Sequence, residues 1–207
     1  MTIVSLKTEN SSENRAVKAE FSDGSSLLIT RDYLGDDFSS ALMETGRELS
    51  SGEEEAFRFA AVCYRAENAA LRLIARAEQN SLALTAKLER RGFDAAVAKT
   101  VISRLLDRNL LNDSRYAERW IRSRLFSRQA KSPRWLRISL GKRGIDRHSS
   151  QKALEDALDS ETEYALLLKY LEKTGLPRNK NPGSFRSQLK YEGFSPEVLD
   201  RYLENKT

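Results

Sequence analysis

The chain has 207 residues, 40% of them hydrophobic and 31% charged, with 35 lysines and arginines against 30 acidic residues for a net charge of +5. That supplies apolar surface for one domain or two, and no run of eighteen apolar residues is present that could cross a membrane. Cys63 is the only cysteine, which excludes an internal disulfide and a cysteine-based zinc site and makes a cytoplasmic protein the expectation.

The amino terminus, Met1 to Leu6, has neither a basic start nor a sustained apolar core and does not read as a signal peptide. Residues 1–63 are acidic, with twelve acidic and six basic side chains. Ala16 to Phe21 and Leu27 to Thr30 are β-like runs flanking Ser22-Asp23-Gly24-Ser25, where Asp-Gly suits a tight hairpin turn because both residues tolerate positive φ. A short helix is expected around Ser40 to Leu49. Ser51 followed by Glu54 then gives a capping box, and Ala56, Phe59, Ala60, Cys63, Leu71 and Ile74 continue at helical spacing. One long helix, or two joined near Tyr64, should lead onward, with Cys63 as a small buried residue rather than a reactive thiol.

From here the chain repeats itself at a period of about fifty residues. Lys87-Leu88-Glu89-Arg90-Arg91-Gly92-Phe93 returns as Ser139-Leu140-Gly141-Lys142-Arg143-Gly144-Ile145 and as Gln188-Leu189-Lys190-Tyr191-Glu192-Gly193-Phe194. Leu84, Leu136 and Phe185 lie eight residues before the glycines, and Leu88, Leu140 and Leu189 four before, one apolar stripe on a short helix. Asn80, Ser132 and Asn181 stand where N-caps belong, with Pro133 and Pro182 following in two copies. Each glycine ends the helix in a left-handed turn. Asp94, Asp146 and Ser195 can then cap a third helix, which carries Val97, Val101 and Ile102 in the first copy, Ser149, Ala153 and Leu154 in the second, and Val198, Tyr202 and Leu203 in the last. A longer helix precedes each pair, marked by Tyr64, Tyr116 and Tyr164. The expected fold is mainly α, an elongated array of three tandem three-helix repeats with a small N-terminal β-hairpin and helix extension. The divisions fall at 1–50 for the extension, 51–110 for the first repeat with its lead-in helix, 111–159 for the second and 160–207 for the third.

Charge is concentrated in the second repeat. Asp113 to Arg147 holds eleven lysines or arginines against three acidic residues, a local excess of eight where the whole chain carries five. Arg115, Arg119 and Arg122 form one ridge of the long helix, Arg124, Arg128 and Lys131 extend toward the next, and Arg134, Arg137, Lys142 and Arg143 decorate the short one. A solubilising face normally mixes signs, so this one-signed stretch points to phosphates or an acidic protein surface. The only tryptophans, Trp120 and Trp135, lie inside it. Trp120 reads as half core and Trp135 as an exposed anchor. Catalysis is poorly supplied: His148 is the sole histidine, no GxxxxGK[ST] loop is present, and the neighbouring carboxylates of Glu53-Glu54-Glu55 diverge on a helix. No metal site, cofactor or catalytic residue is expected.

Four phrases together, Ala70-Leu71-Arg72-Leu73-Ile74-Ala75-Arg76, Leu84 to Phe93, Leu110 to Ala117 and Leu136 to Ile145, resemble the RecX family of recombination regulators. The resemblance runs from about Tyr64 to the end. Where many relatives carry a Gly-rich basic turn, this chain has Arg128-Gln129-Ala130-Lys131-Ser132-Pro133, keeping the proline without the glycine. The resemblance implies a non-enzymatic modulator that binds the RecA filament on DNA and restrains its strand exchange, ATPase and coprotease activities, within recombination, repair and the SOS response. The implied partners are the RecA filament and single-stranded DNA, reached through the filament or directly, with no membrane, and a monomer is expected. Direct, sequence-nonspecific nucleic-acid binding is the alternative.

Overall fold

A computed structural model of the chain describes residues 1–11, 14–34, 44–125, 127, 130–176 and 182–205. It opens with three antiparallel strands in sequential order, β1 (Ile3–Ser11), β2 (Asn14–Phe21) and β3 (Ser26–Ile29). Sequence reading finds the β2–β3 hairpin and misses β1, whose register slips between Ile3 and Ser5 and leaves Val4 exposed, blurring the alternation that marks a strand. The turn also differs from the tight form. Gly24 N–H donates to Phe21 O, Phe21 N–H donates to Ser25 O, and only Gly24 has positive φ (81°), so three residues close the hairpin. Asp23 holds it by accepting from the Ser25 N–H at 2.9 Å.

A 3₁₀ turn, Arg31–Tyr33, follows. The helix expected around Ser40 to Leu49 is not there in its described part: residues 44–49 form a turn at Gly46 and a backbone ladder to residues 1–3, with Thr2 bridging Glu48, while 40–43 lie outside the described residues. That ladder, closed by Leu49 N–H on Met1 O, fixes the chain up to Leu49. The capping box consequently forms one residue earlier than expected, with Ser50 and Glu53 exchanging bonds, and Glu54 pairs instead with the Met1 ammonium.

Nine α-helices follow among the described residues. The first, α1 (Ser51–Ile74), is continuous through Tyr64. Its buried face runs through Phe57, Ala60, Cys63, Ala66 and Ala70; Phe57 is fully buried while Phe59, expected inside, is 37% exposed. The reason is tertiary, since Phe57 meets Phe21 of the sheet edge to face at 6.0 Å. Cys63 is buried as expected, and burial followed by the charge of Glu67 pushes its thiol up to about 11.

The helices α2 (Ser81–Glu89) and α3 (Ala95–Asp107) complete the first group. Then come α4 (Asp113–Leu125), α5 (Pro133–Gly141) and α6 (Arg147–Ala157), and α7 (Ser160–Thr174), α8 (Pro182–Tyr191) and α9 (Pro196–Glu204). The repeated stripe is buried in every copy, at Leu84 and Leu88, Leu136 and Leu140, Phe185 and Leu189. Gly92, Gly144 and Gly193 all adopt positive φ, and in each copy the next residue's N–H reaches back five residues, from Phe93 to Leu88, Ile145 to Leu140 and Phe194 to Leu189. Those bonds satisfy carbonyls that a helix end would otherwise leave open.

Capping is uneven. Ser132 accepts from Trp135 N–H, Asp146 from Ser149 N–H and Ser195 from Val198 N–H, whereas Asp94 holds the cap position of α3 without a side-chain cap bond. Asn80 is buried just before α2, where the Ser81 N–H donates to Asp113; Asn181 lies outside the described residues.

The chain forms two compact units, residues 1–78 with 83–111, and residues 79–82 with 112–207. The first joins the sheet, α1 and α3 in one core. Inside it lies a polar network that sequence reading does not find. Glu67 is fully buried on α1, accepts from the Tyr33 hydroxyl at 2.9 Å and receives Arg104 Nε at 3.3 Å and Arg108 at 3.2 Å. Arg104 also pairs with Asp32 and lies 5.2 Å from the Tyr33 ring centroid. Burial and the adjacent Glu67 carboxylate drive the Tyr33 phenol well above its ordinary range, so it stays a donor.

The second unit holds two cores. One gathers Ala117, Trp120, Ile121, Leu136, Leu140, Ile145, Ala153 and Leu154, the other Leu166, Leu167, Phe185, Leu189, Phe194, Val198, Leu199 and Tyr202, and Leu125 and Leu158 pack against both. The α8–α9 turn closes on the start of α5: Arg134 N–H donates to Glu192 O at 2.9 Å, and the Ser132 hydroxyl donates to the Glu192 carboxylate at 2.5 Å.

Candidate nucleic-acid and partner interface

The site is built on α4 and α5 of the second unit. On α4, Ala117, Trp120 and Ile121 face the core. Arg124 follows Trp120 by four residues and covers its ring, 5.2 Å from guanidinium carbon to centroid. Arg115, Arg119 and Arg122 lie roughly 140–180° away from Arg124 around the helix axis at 3.6 residues per turn. The expected ridge therefore exists, but on a different side from Arg124. Arg122 is exposed and pairs with Glu118 at 2.8 Å; Arg119 is exposed and Arg115 half-buried.

Around the tryptophans the structure builds an arrangement that sequence order does not show. Trp120 is buried and stacks on Trp135, with centroids 6.2 Å apart and planes 20° from parallel, while Trp135 remains 39% exposed. Arg143 covers the Trp120 ring at 4.5 Å and Lys131 the Trp135 ring at 4.9 Å. Arg143 is oriented by its bond to Ser139 O at 2.8 Å, and Trp135 by the cap that Ser132 gives to its N–H. Three of the predicted cations thus meet on one aromatic pair, each gaining from the negative face of the indole rings.

Arg134, also predicted, packs on Tyr191 at 4.1 Å. Tyr191 is 64% exposed and is not singled out by the sequence; its place as the second residue before a repeated glycine marks it only as a helix end. A cleft of about 330 Å³ opens beside α5, lined among others by Lys131, Arg134, Trp135, Tyr170, Lys173 and Glu192. Arg137 is exposed on the wall of a separate cleft with Arg147, and Lys142 is exposed at the end of α5. Arg128 lies outside the described residues. Among the described residues no group of three or more histidine, cysteine or acidic side chains is placed to hold a metal, and His148 is exposed. The surface can hold anions and aromatic or planar groups.

Comparison with known proteins identifies the lineage. Regulatory protein RecX of Treponema pallidum is 35% identical over 149 residues, 72% of this chain and 90% of the relative. The chain belongs to the RecX family. Regulatory protein RecX of Pseudomonas entomophila is 34% identical over 142 residues, covering 66% of this chain and 88% of that one. Family models for the first and second three-helix domains of RecX match residues 66–105 and 112–154, so the two tryptophans and every predicted cation sit in the span of the second. The fold is shared with solved RecX structures. A crystal structure of a regulatory protein RecX superposes with a TM-score of 0.65 at 17% identity, covering 96% of this chain and 97% of that one, and RecX from Lactobacillus salivarius with 0.53 at 24%, covering 70% and 96%.

Proposed function

We propose that this RecX-family chain regulates RecA by binding its filament on single-stranded DNA and restraining recombinase, ATPase and coprotease activities, without chemistry of its own. The observation that carries the reading is the one-signed cationic and aromatic surface of α4 and α5, where Arg124, Lys131 and Arg143 converge on the Trp120–Trp135 stack in a member of a regulatory family. Successive weak contacts of a repeat protein with a polymeric target add by effective concentration, and a regulator that prefers one filament geometry or end shifts growth against disassembly. Cytoplasmic residence and a monomeric state complete the proposal, as do the repeat divisions at 110/111 and 159/160.

The test is titration into preformed RecA filaments on single-stranded DNA with ATP, following ATPase and bound fraction beside a naked-DNA control at equal salt. Loss of ATPase at substoichiometric protein supports the reading and favours end capping. Filaments that ignore the protein sink it.

A second reading, direct binding to nucleic acid without RecA, is favoured by the same local excess of eight positive charges over Asp113 to Arg147. Affinity for naked DNA that falls steeply with salt is its signature.

A further inference from the structure

We infer that the cleft beside α5 binds unpaired bases of single-stranded nucleic acid, with Trp135 in its wall and Tyr191, outside the wall but packed on the lining residue Arg134, as stacking rings and Lys131, Arg134 and Lys173 as backbone contacts. This deepens the direct-binding reading and rests on it: phosphates alone would need only the cations, whereas here two rings are held out beside them.

The rings are pre-positioned. Trp135 is backed by the buried Trp120 and its helix start is fixed by the Ser132 cap, while Tyr191 is braced by Arg134 at 4.1 Å and by the turn in which Glu192 O accepts the Arg134 N–H. A ring already held in place loses little freedom when a base lands on it. Trp135 and Tyr191 are exposed to 39% and 64%, and Ile138, which lines the cleft with Trp135, to 44%. An acidic protein segment would draw Lys131 and Arg134 off the ring faces they cover and put nothing planar in their place; a duplex keeps its base faces stacked on one another. A single strand offers both charge and π-faces, which is the combination found in nonspecific single-strand sites.

Charge agrees. Among the described residues Lys131, Arg134 and Lys173 line the cleft against one carboxylate, Glu192, and that carboxylate is engaged by the Ser132 hydroxyl at 2.5 Å. Lys131 lies over the Trp135 ring on a flexible stem that can swing to a phosphate as a base takes its place.

The experiment uses the full chain without RecA. A twelve-residue dT oligonucleotide, the same length of abasic strand and a matched duplex are titrated at fixed salt, read by tryptophan fluorescence and by anisotropy. The dT strand should quench fluorescence and bind about tenfold or more tighter than the abasic strand, as loss of base stacking implies. Trp135→Ala and Tyr191→Ala should each lose about tenfold on dT with little change on the abasic strand, and Tyr191→Phe should bind like the parent, which separates stacking from misfolding. Equal affinity for dT and abasic strands, or equal displacement of dT by a poly-glutamate peptide, overturns the inference. If naked dT does not bind while RecA ATPase still falls, the inference fails and the RecA reading stands; if dT binds as described and the filament is untouched, the converse holds.

Discussion

Glu67 is the residue whose loss should be felt most. Its carboxylate is fully buried and accepts from Tyr33, Arg104 and Arg108, so Glu67→Gln leaves two guanidinium groups facing a neutral amide. Removing one partner of a buried pair costs about 3 kcal/mol or more, but the two arginines keep partial access to water, so about 2–3 kcal/mol is expected in urea denaturation. Tyr33→Phe, which removes one bond to the same carboxylate, should cost about 1 kcal/mol. Gly193 carries a different constraint: its φ is 90°, and a Cβ there would lie 3.1 Å from the Arg134 nitrogen. Gly193→Ala should destabilise by about 1–2 kcal/mol through the left-handed backbone alone, with the close approach adding to it. None of these three residues' partners can be read from the sequence, because 37 residues separate Glu67 from Arg104 and 59 separate Gly193 from Arg134.

At the scale of elements, the helix starts make a matched pair of predictions. Ser132 caps α5 and also donates to Glu192, so Ser132→Ala should cost about 1–2 kcal/mol, whereas Asp94→Ala, at a cap position with no cap bond, should cost less than about 0.5 kcal/mol. Thermal melts of the two variants under one condition compare them. Acid should act on the caps that do bond. Hydrogen bonds from Ser149 hold Asp146 below its ordinary value of 3.8, and those from Thr162 do the same for Asp159. A folded-state pKa below the unfolded one means that the unfolded chain binds more protons, so this stability is present above 3.8 and is lost as pH falls through the lowered value. The Asp146→Asn, Asp159→Asn double variant should therefore show a shallower fall of Tm between about pH 5 and pH 2 than the parent. The starts at Ser132 and Asp146 are legible because a cap joins residues only three apart. The box at Ser50 rather than Ser51 is not, since two adjacent serines are each followed three residues later by glutamate and only the ladder of residues 46–49 on residues 1–3 selects between them.

For the molecule as a whole, the basic excess of the second unit divides between two sides of α4, and the division can be tested. Reversing Arg124 and Lys131 to glutamate should weaken DNA or filament binding more than reversing Arg119 and Arg122, because only the former pair lies against the Trp120–Trp135 stack, Arg124 on the buried ring and Lys131 on the exposed one. The salt dependence of binding should become shallower with both, by about one unit of slope for each phosphate that is no longer neutralised. Equal effects of the two reversals would place the binding surface on the whole circumference of α4 rather than on the tryptophan side.

The sequence by itself determined the helical class, the repeated stripe and glycine turn, most helix starts and the concentration of charge, since each rests on interactions within five residues or on composition. The register of Phe57 against the sheet, the strand β1, the Glu67 network, the Trp120–Trp135 stack and the pairing of Arg134 with Tyr191 were decided only by tertiary structure. Local periodicity specifies which face of a helix is apolar; it carries no information on which distant side chain that face, or the charge beside it, will meet.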